Sequence, residues 1–582
     1  MNKPNHRYHV SNVLVIGSGA AGLRSAIAAH EAGSDVVIVG KSLKRDAHTV
    51  LAAGGINAAL GTNDPEDSWQ QHFADTFKEG YGLCDPRTVE VMVKNAPQAI
   101  EELVSYGVDF AKNENGDLDQ RYFGAHTYRR TCYVGDYTGR AILYGLADRV
   151  DELNIPIHEN QYVTRLLVDG GQCFGAFSFN LHTGERTVYL ADSIVLAAGG
   201  HTRLWRKSSS RRDENTGDGM YLALQAGAEL ADMELVQFHP TGMVAPEAIA
   251  GTLVTEAVRG EGGRLFNSKG ERFMEKYDPN RKELSTRDRI ALANYTEIAE
   301  GRGGPNGGVF LDISHRDKAF IIEKLPRMYR QFLEHQLMDI SKEPMEVAPT
   351  AHYSMGGVVV DPDTHATAVL GLFAAGEITS RMHGANRLGG NSLGETVVFG
   401  RIAGEHAAHH SQNLANQHRN NSVIKAAHED LDQLIKPGTE MARPLQRNLR
   451  NIMWLHCGVV RNEESLFTGL DELNQIREAT ANLDVRPSSE GYQDLALALD
   501  LRSSLDSAEA TIRCAIERRE TRGAHNRSDY PELDPALTKN FIVILNDEGD
   551  QVIQEWDVAP LPLELESWID DKEIEVAGRL LE

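Results

Sequence analysis

The sequence predicts an α/β protein: a Rossmann-like nucleotide-binding domain interrupted by a capping domain, followed by a helical domain and a short C-terminal domain. Three observations carry this. Apolar strands ending in glycine return near residues 17, 199 and 376, separated by long insertions. The first of them sits in the order strand, G-x-G-x-x-G, helix, strand. Residues 421–525 lose strand character and gain helical periodicity. The pattern changes place the nucleotide-binding domain at 1–240 and 351–420 and the cap at 241–350. The helical domain takes 421–525 and the C-terminal domain 526–582.

The elements follow in order. Val13-Leu14-Val15-Ile16 is a β-branched apolar run of buried-strand character. Gly17-Ser18-Gly19-Ala20-Ala21-Gly22 follows at once, then a small-residue helix from Leu23 to Ala32 closed by Gly33, then a strand from Asp35 to Val39. Alone, the glycine pattern is only a tight turn; in this βαβ context it points to a dinucleotide. Gly40-Lys41-Ser42 stands where an acidic ribose ligand would end the second strand, which weakens an NAD reading and leaves FAD open. Ser193–Gly200 and Gly371–Glu377 repeat the strand-then-glycine theme, and Thr216-Gly217-Asp218-Gly219 opens a helix running through Met220 to Ala226. Leu431, Leu434, Ile452, Leu455 and Val459 carry the helical period of the next domain. A strand at Phe541–Leu545 and an acidic tail end the chain.

Composition bounds the function. A chain of 582 residues exceeds one core and suits about two to four domains. A formal net charge of −25 argues against nucleic-acid binding, because the basic footprint is missing. It leaves a small anionic substrate open, since only the field in a cleft matters for that. Cys84, Cys132, Cys173, Cys457 and Cys514 are scattered singly, without cluster or zinc spacing, and fit a reducing cytoplasm. Met1 to His9 lacks the apolar core of a secretion signal, and no apolar run reaches the length of a membrane span.

Chemistry concentrates in a few runs. His383-Gly384-Ala385-Asn386-Arg387-Leu388-Gly389-Gly390-Asn391-Ser392-Leu393 is glycine-rich and polar inside an apolar, buried-looking region and opens a helix. Such a composition is expected where a ligand supplies hydrogen-bond partners, and Arg387 suits a carboxylate or phosphate. Gln237-Phe238-His239-Pro240-Thr241-Gly242 puts a histidine before proline in extended or turn geometry, where a structural and a catalytic role weigh evenly. Glu256 and Arg259, three residues apart, pair if helical. A surface ion pair is the bland alternative, but flanking apolar and glycine residues argue for burial. Arg287 and the Pro349–Tyr353 run with His352 add candidates, while Asp288 and Arg289 read as solvated helix residues.

Together these motifs resemble the flavoprotein subunit of succinate dehydrogenases and fumarate reductases. The likeness covers nearly the whole chain, including Glu520-Thr521-Arg522-Gly523-Ala524-His525 and Asp529-Tyr530-Pro531. It implies FAD, with Gly17, Gly19, Ala20 and Gly22 at the diphosphate and Lys41, Thr49, Gly54, Gly55, Asp218, Glu377, Ser392 and Leu393 completing the cofactor site. His48 matches the histidine that bonds covalently to the flavin. His239, Thr255, His352 and Arg387 match the clamp on the two carboxylates of succinate or fumarate. Arg287 matches the acid or base, with Glu256 and Arg259 as its proton relay. The resemblance also implies an iron–sulfur subunit and a membrane anchor subunit, hence a peripheral place on the cytoplasmic face of the cell membrane. Two features depart from the pattern: Ala53 stands where these flavoproteins usually carry Gln or Glu, and the loop from Glu377 to His383 is one residue shorter. L-aspartate oxidase is the rival within the fold, against which His48 and Gly242 speak. A non-catalytic flavin electron carrier is the rival of another class, and needs no dicarboxylate clamp.

Overall fold

The computed structural model describes residues 6–488 and 491–569; most of the expected acidic tail, at 570–582, lies outside them. A seven-stranded sheet forms the nucleotide-binding domain, in the order Ile157–His158, Val36–Val39, His6–Ile16, Arg186–Leu196, Gln172–Asn180, Gln161–Asp169, with Leu372–Ala374 also paired to Arg186–Leu196. The strands from Val36–Val39 to Leu372–Ala374 run parallel, and the last two on the path are antiparallel. Ile16, Leu196 and Ala374 stand side by side in register. The glycine-capped strands therefore end at one edge, and a single domain is interrupted by insertions, as the sequence predicts. Ligands of such sheets bind at that carboxyl edge.

The first strand begins at His6 rather than Val13. Its polar half carries no buried-strand signature, and Tyr8 and Val10 are exposed. It is held instead by parallel pairing to Arg186–Leu196 along its length. The first helix runs Ala20–Glu31 and packs, through small residues, against the long helix Asn391–Asn413 that follows the second visit to the domain.

The inserted unit is an antiparallel sheet in the order Val236–Met243, Met345–Ser354, Val309–Asp312, Arg264–Phe266, backed by the helix Arg287–Glu297. It has its own core of residues such as Val254, Leu265, Met274, Ile290, Leu311 and Phe332. The strands that enter and leave it are paired to each other, with register shifts at Gln237/Phe238 and His239/Gly242. Bulges of this kind re-aim side chains.

Helices Asn421–Leu434, Ala442–His456, Glu463–Ala479 and Gln493–Glu517 form the predicted helical domain around Leu449, Ile452, Leu466, Leu473, Leu501 and Ile512. The expected late strand spans Lys539–Leu545; it forms a hairpin with Gln551–Asp557 and adds to Leu230–Ala231. No helix among the described residues is long and apolar enough to cross a membrane.

Arg518 ties these units together. Its fully buried guanidinium meets Glu234 Oε1 at 2.5 Å, Asp232 Oδ1 at 3.1 Å and Glu520 Oε1 at 3.2 Å, and donates to the carbonyls of Leu537 and Lys539. Removing one partner of a buried ion network leaves uncompensated charge. Arg518→Met is therefore expected to cost about 3–5 kcal/mol. Urea denaturation checks it; a loss below about 1 kcal/mol, the scale of a surface pair, contradicts this account of the junction.

Candidate active site

A cleft of about 670 Å³ runs along the carboxyl edge of the sheet and under the inserted unit. At its glycine end Gly17 has φ +120°, and a Cβ there would lie 2.1 Å from the Ala197 carbonyl oxygen. A Cβ on Gly22 would lie 1.9 Å from the Gly17 carbonyl oxygen. Only glycine lets the first helix start this close to the strand edge. The N-cap residue of that helix, Gly19, has no side chain to cap it, and Ala20 N–H donates to Thr49 Oγ1 at 3.1 Å. The other first-turn N–H groups beside the cleft suit a diphosphate. The residues present thus fit a dinucleotide.

Toward one end lie Lys41, Asp218, Tyr162 and Asp500. Lys41 Nζ is 2.8 Å from Asp500 Oδ1 and 3.5 Å from Asp218 Oδ2, and sits 4.8 Å from the centre of the Tyr162 ring. Burial alone would lower the lysine pKa; Asp500 and Asp218 outweigh it and raise it. Asp500 comes from the helix Gln493–Glu517, inside an apolar run that gives no hint of a polar site.

Midway, His48, Thr49, Gly54, Gly55, Ser392 and Leu393 line the wall with Ala53. His48 Nδ1 lies 3.0 Å from Glu214 Oε2. Nothing in the sequence marks Glu214, because Arg211-Arg212-Asp213-Glu214 reads as a solvated charge run. Glu377 Oε1 accepts from the Ser354 N–H at 3.1 Å, and burial pushes its carboxyl pKa up.

At the cationic end the structure gathers His239, Thr255, Glu256, Arg287, His352 and Arg387. Arg287 donates from Nε to Glu256 Oε2 at 2.8 Å and from Nη1 to Gln237 Oε1 at 3.0 Å. Arg387 Nη2 donates to the same Gln237 oxygen at 3.1 Å. Gln237 stands two residues before His239, and its uncharged amide gives the sequence no reason to single it out. Arg387 Nε is buried with no partner among the described residues. Burial, then the nearby Arg287, brings the Arg387 guanidinium down to about 10. Burial would raise the Glu256 carboxyl, but Arg287 and Arg259 hold it down at about 2. His239 Nδ1 accepts from the Thr241 N–H at 3.2 Å, which leaves Nε2 as the donor. Both His239 and His352 are held well below the usual histidine range, first by burial and then by arginines. They are neutral imidazoles beside fixed cations.

Two candidates stand behind the wall. Gly22 packs under the glycine turn, and Arg259 reaches Glu256 at 3.8 Å while donating to the Glu283 carbonyl at 2.7 Å. The Glu256–Arg259 pair is helical in spacing and buried, as expected. Asp288 differs from its reading as solvated: it is buried and accepts from Tyr81 Oη at 2.6 Å and Asn386 Nδ2 at 2.9 Å. The 383–393 run also differs. The protein itself satisfies most of it, with His383 on Glu395, Asn386 on Glu79 and Asp288, and the Gly389 carbonyl on Asn57 and His126. Arg387 Nε and His383 Nδ1 are the buried side-chain atoms of the run left without a partner among the described residues.

Comparison with known proteins shows the family and the fold. A family described as FAD binding domain matches residues 12–393, and one described as fumarate reductase flavoprotein C-term matches 446–567. The chain is 44% identical over 534 residues to a fumarate reductase (CoM/CoB) subunit of Methanothermobacter marburgensis, covering 91% of this chain and 96% of that one. It is 38% identical over 576 residues to a succinate dehydrogenase flavoprotein subunit of Rickettsia conorii, covering 94% and 95%. Among solved structures it is similar to Mycobacterium smegmatis Sdh1 in complex with UQ1, with TM-score 0.87, 40% identity and 96% of each chain covered. An Escherichia coli quinol fumarate reductase chain superposes with TM-score 0.90 at 32% identity, over 96% of this chain and 98% of that one.

The His48–Glu214 pair makes a pH-dependent contribution to stability. Burial lowers the His48 pKa, but Glu214 outweighs it and raises it above 6.5. Burial raises Glu214, but His48 holds it below 4.5. The raised histidine contributes fully below its unfolded value and loses that contribution as pH rises through the folded one; the depressed carboxyl contributes above its unfolded value. In FAD-free protein, Glu214→Gln is expected to lose stability against the parent most at about pH 6, and the gap to narrow by about pH 9. Denaturant titrations at both pH values decide; a gap that widens with pH contradicts the pairing.

Proposed function

Because this chain belongs to the succinate dehydrogenase and fumarate reductase flavoprotein family, we propose that it interconverts succinate and fumarate by hydride transfer to or from flavin N5. The observation that carries the reading is the cationic end of the cleft, where Arg287 and Arg387 share Gln237 Oε1 beside neutral His239 and His352. A dicarboxylate supplies negative charge to offset these guanidiniums and the acceptors their donors need.

When bound, FAD supplies the two-electron redox chemistry. Gly17, Gly19, Ala20, Gly22, Lys41, Thr49, Gly54, Gly55, Asp218, Glu377, Ser392 and Leu393 hold it, and His48 attaches it covalently. Arg387, His239, His352 and Thr255 grip the substrate carboxylates and fix the carbon–carbon bond in place. Arg287 moves the proton at the second carbon. A guanidinium is a weak acid in water; here other cations crowd it, and the Glu256 carboxylate, ionised at any working pH, bonds its Nε. Arg259 stands behind Glu256 as the next member of the relay. Relatives named as subunits support a multi-subunit assembly for this chain; an iron–sulfur subunit that exchanges the electrons and a membrane anchor subunit that holds the complex at the cytoplasmic face are part of the same proposal.

Two measurements test this. In Arg287→Lys, succinate oxidation with a dye acceptor is expected to fall about 10²–10⁴-fold, the worth of a positioned proton carrier, with FAD content unchanged. Acid-denatured parent is expected to show a fluorescent polypeptide band under ultraviolet light that His48→Ala lacks. Turnover of aspartate with none of succinate or fumarate would sink the reading in favour of an L-aspartate oxidase.

A further inference from the structure

We propose that Glu214 is the positioning residue that makes His48 a nucleophile at Nε2 for covalent attachment of the flavin. The inference rests on the reading of His48 as the attachment point and adds the group that prepares it.

A histidine attacks carbon only through a ring nitrogen that holds a lone pair, so its tautomer must be set. In this cleft Glu214 Oε2 takes Nδ1 at 3.0 Å. A carboxylate accepts, so Nδ1 carries the proton and Nε2 the lone pair, and Nε2 has no partner among the described residues. The carboxylate is itself held. Its Oε1 lies 3.7 Å from Arg211 Nε, and Arg211 Nη1 donates to Asp46 Oδ1 at 2.8 Å. Asp46, Arg211, Glu214 and His48 thus form one chain of charges along the cleft wall. The turn at 211–214 is closed by the Glu214 N–H on the Arg211 carbonyl and followed by Asn215 at φ 50°, which aims Glu214 back at His48.

Attachment forms a bond between Nε2 and a methyl carbon of the flavin. One C–H bond of that methyl breaks. Its electron pair enters the ring system and its proton ends on a ring nitrogen, so the oxidised flavin is the oxidant and finishes two electrons reduced. The imidazole gains the positive charge of alkylation, and Glu214 meets that charge at Nδ1–H. Four charged or titratable groups bear on His48 or answer to it: Glu214 and Arg211 from the 211–214 turn, Glu377 from the loop after Leu372–Ala374, and His352 from the strand Met345–Ser354. Glu214 and Glu377 favour the imidazolium; Arg211 opposes it.

The experiment mixes FAD-free protein with FAD and follows, across pH, the flavin that stays with the acid-precipitated polypeptide. In the parent the rate is expected to rise with pH through one ionisation above 6.5, the ordinary histidine value. In Glu214→Gln it is expected to fall about a hundredfold, the lower end for a preorganised group that meets developing charge, with its midpoint shifted to lower pH and FAD still bound non-covalently. Glu214→Asp, which keeps the charge, is expected to recover part of the rate and the raised midpoint; it also serves if the Gln variant does not fold. A purely structural role would lower total FAD content without moving the midpoint. Glu214→Gln attaching flavin at the parent rate, or with an unmoved midpoint, overturns this inference alone. A parent whose flavin is wholly released by acid overturns the covalent reading of His48 and this inference with it.

Discussion

One amide oxygen organises the site. Gln237 Oε1 accepts from both Arg287 and Arg387, and so holds two guanidiniums together in a buried cleft. Like charges at such spacing repel by a few kcal/mol even in a moderately polar protein interior. The surroundings are built to bear that cost. Gln237 Nε2 is in turn fixed by Asn386 Oδ1 and the Arg387 carbonyl, and Asn386 by Glu79 and Asp288. Glu256 offsets part of the positive charge, and the rest is left for an anion. A pocket whose fixed guanidiniums repel one another is preorganised to hold an anion.

What the sequence made legible was local. Three strands closing on glycine, the βαβ order and the helical period of residues 421–525 depend on neighbours within a few positions, and the structure reproduces all of them. The cleft also gathers nearly every residue that the family resemblance nominated. What stayed hidden was long-range. Glu214 meets His48 across 166 positions and Asp500 meets Lys41 across 459, and neither sits in a run that marks a site. The polar half of the first strand was missed for the same reason, since its conformation is set by the backbone of Arg186–Leu196 rather than by its own side chains. Asp288 looked solvated because its partners Tyr81 and Asn386 lie far off in the chain.

The helical domain is more than a flank. Through Asp500, with Gln493, Ala496 and Leu497, the helix Gln493–Glu517 supplies part of the wall that Lys41, Asp218 and Tyr162 begin. Lys41, at the end of the second strand, is thus paired with carboxylates from two other places in the chain. Arg518, at the far end of the same region, anchors the C-terminal hairpin to Asp232 and Glu234. One helix therefore couples the cofactor wall to the outer sheet.

The two strands that connect the inserted unit to the sheet domain, Val236–Met243 and Met345–Ser354, each carry one of the two cleft histidines, while Arg387 remains on the domain below. Any rotation of the inserted unit about these strands changes the spacing of His239, His352 and Arg287 from Arg387. Admission of a substrate and the strength with which it is held are then a single mechanical coordinate. Under the proposed function, a dianion bridging Arg287 and Arg387 acts as a latch, and its escape requires the same displacement that moves Arg287 away from Arg387.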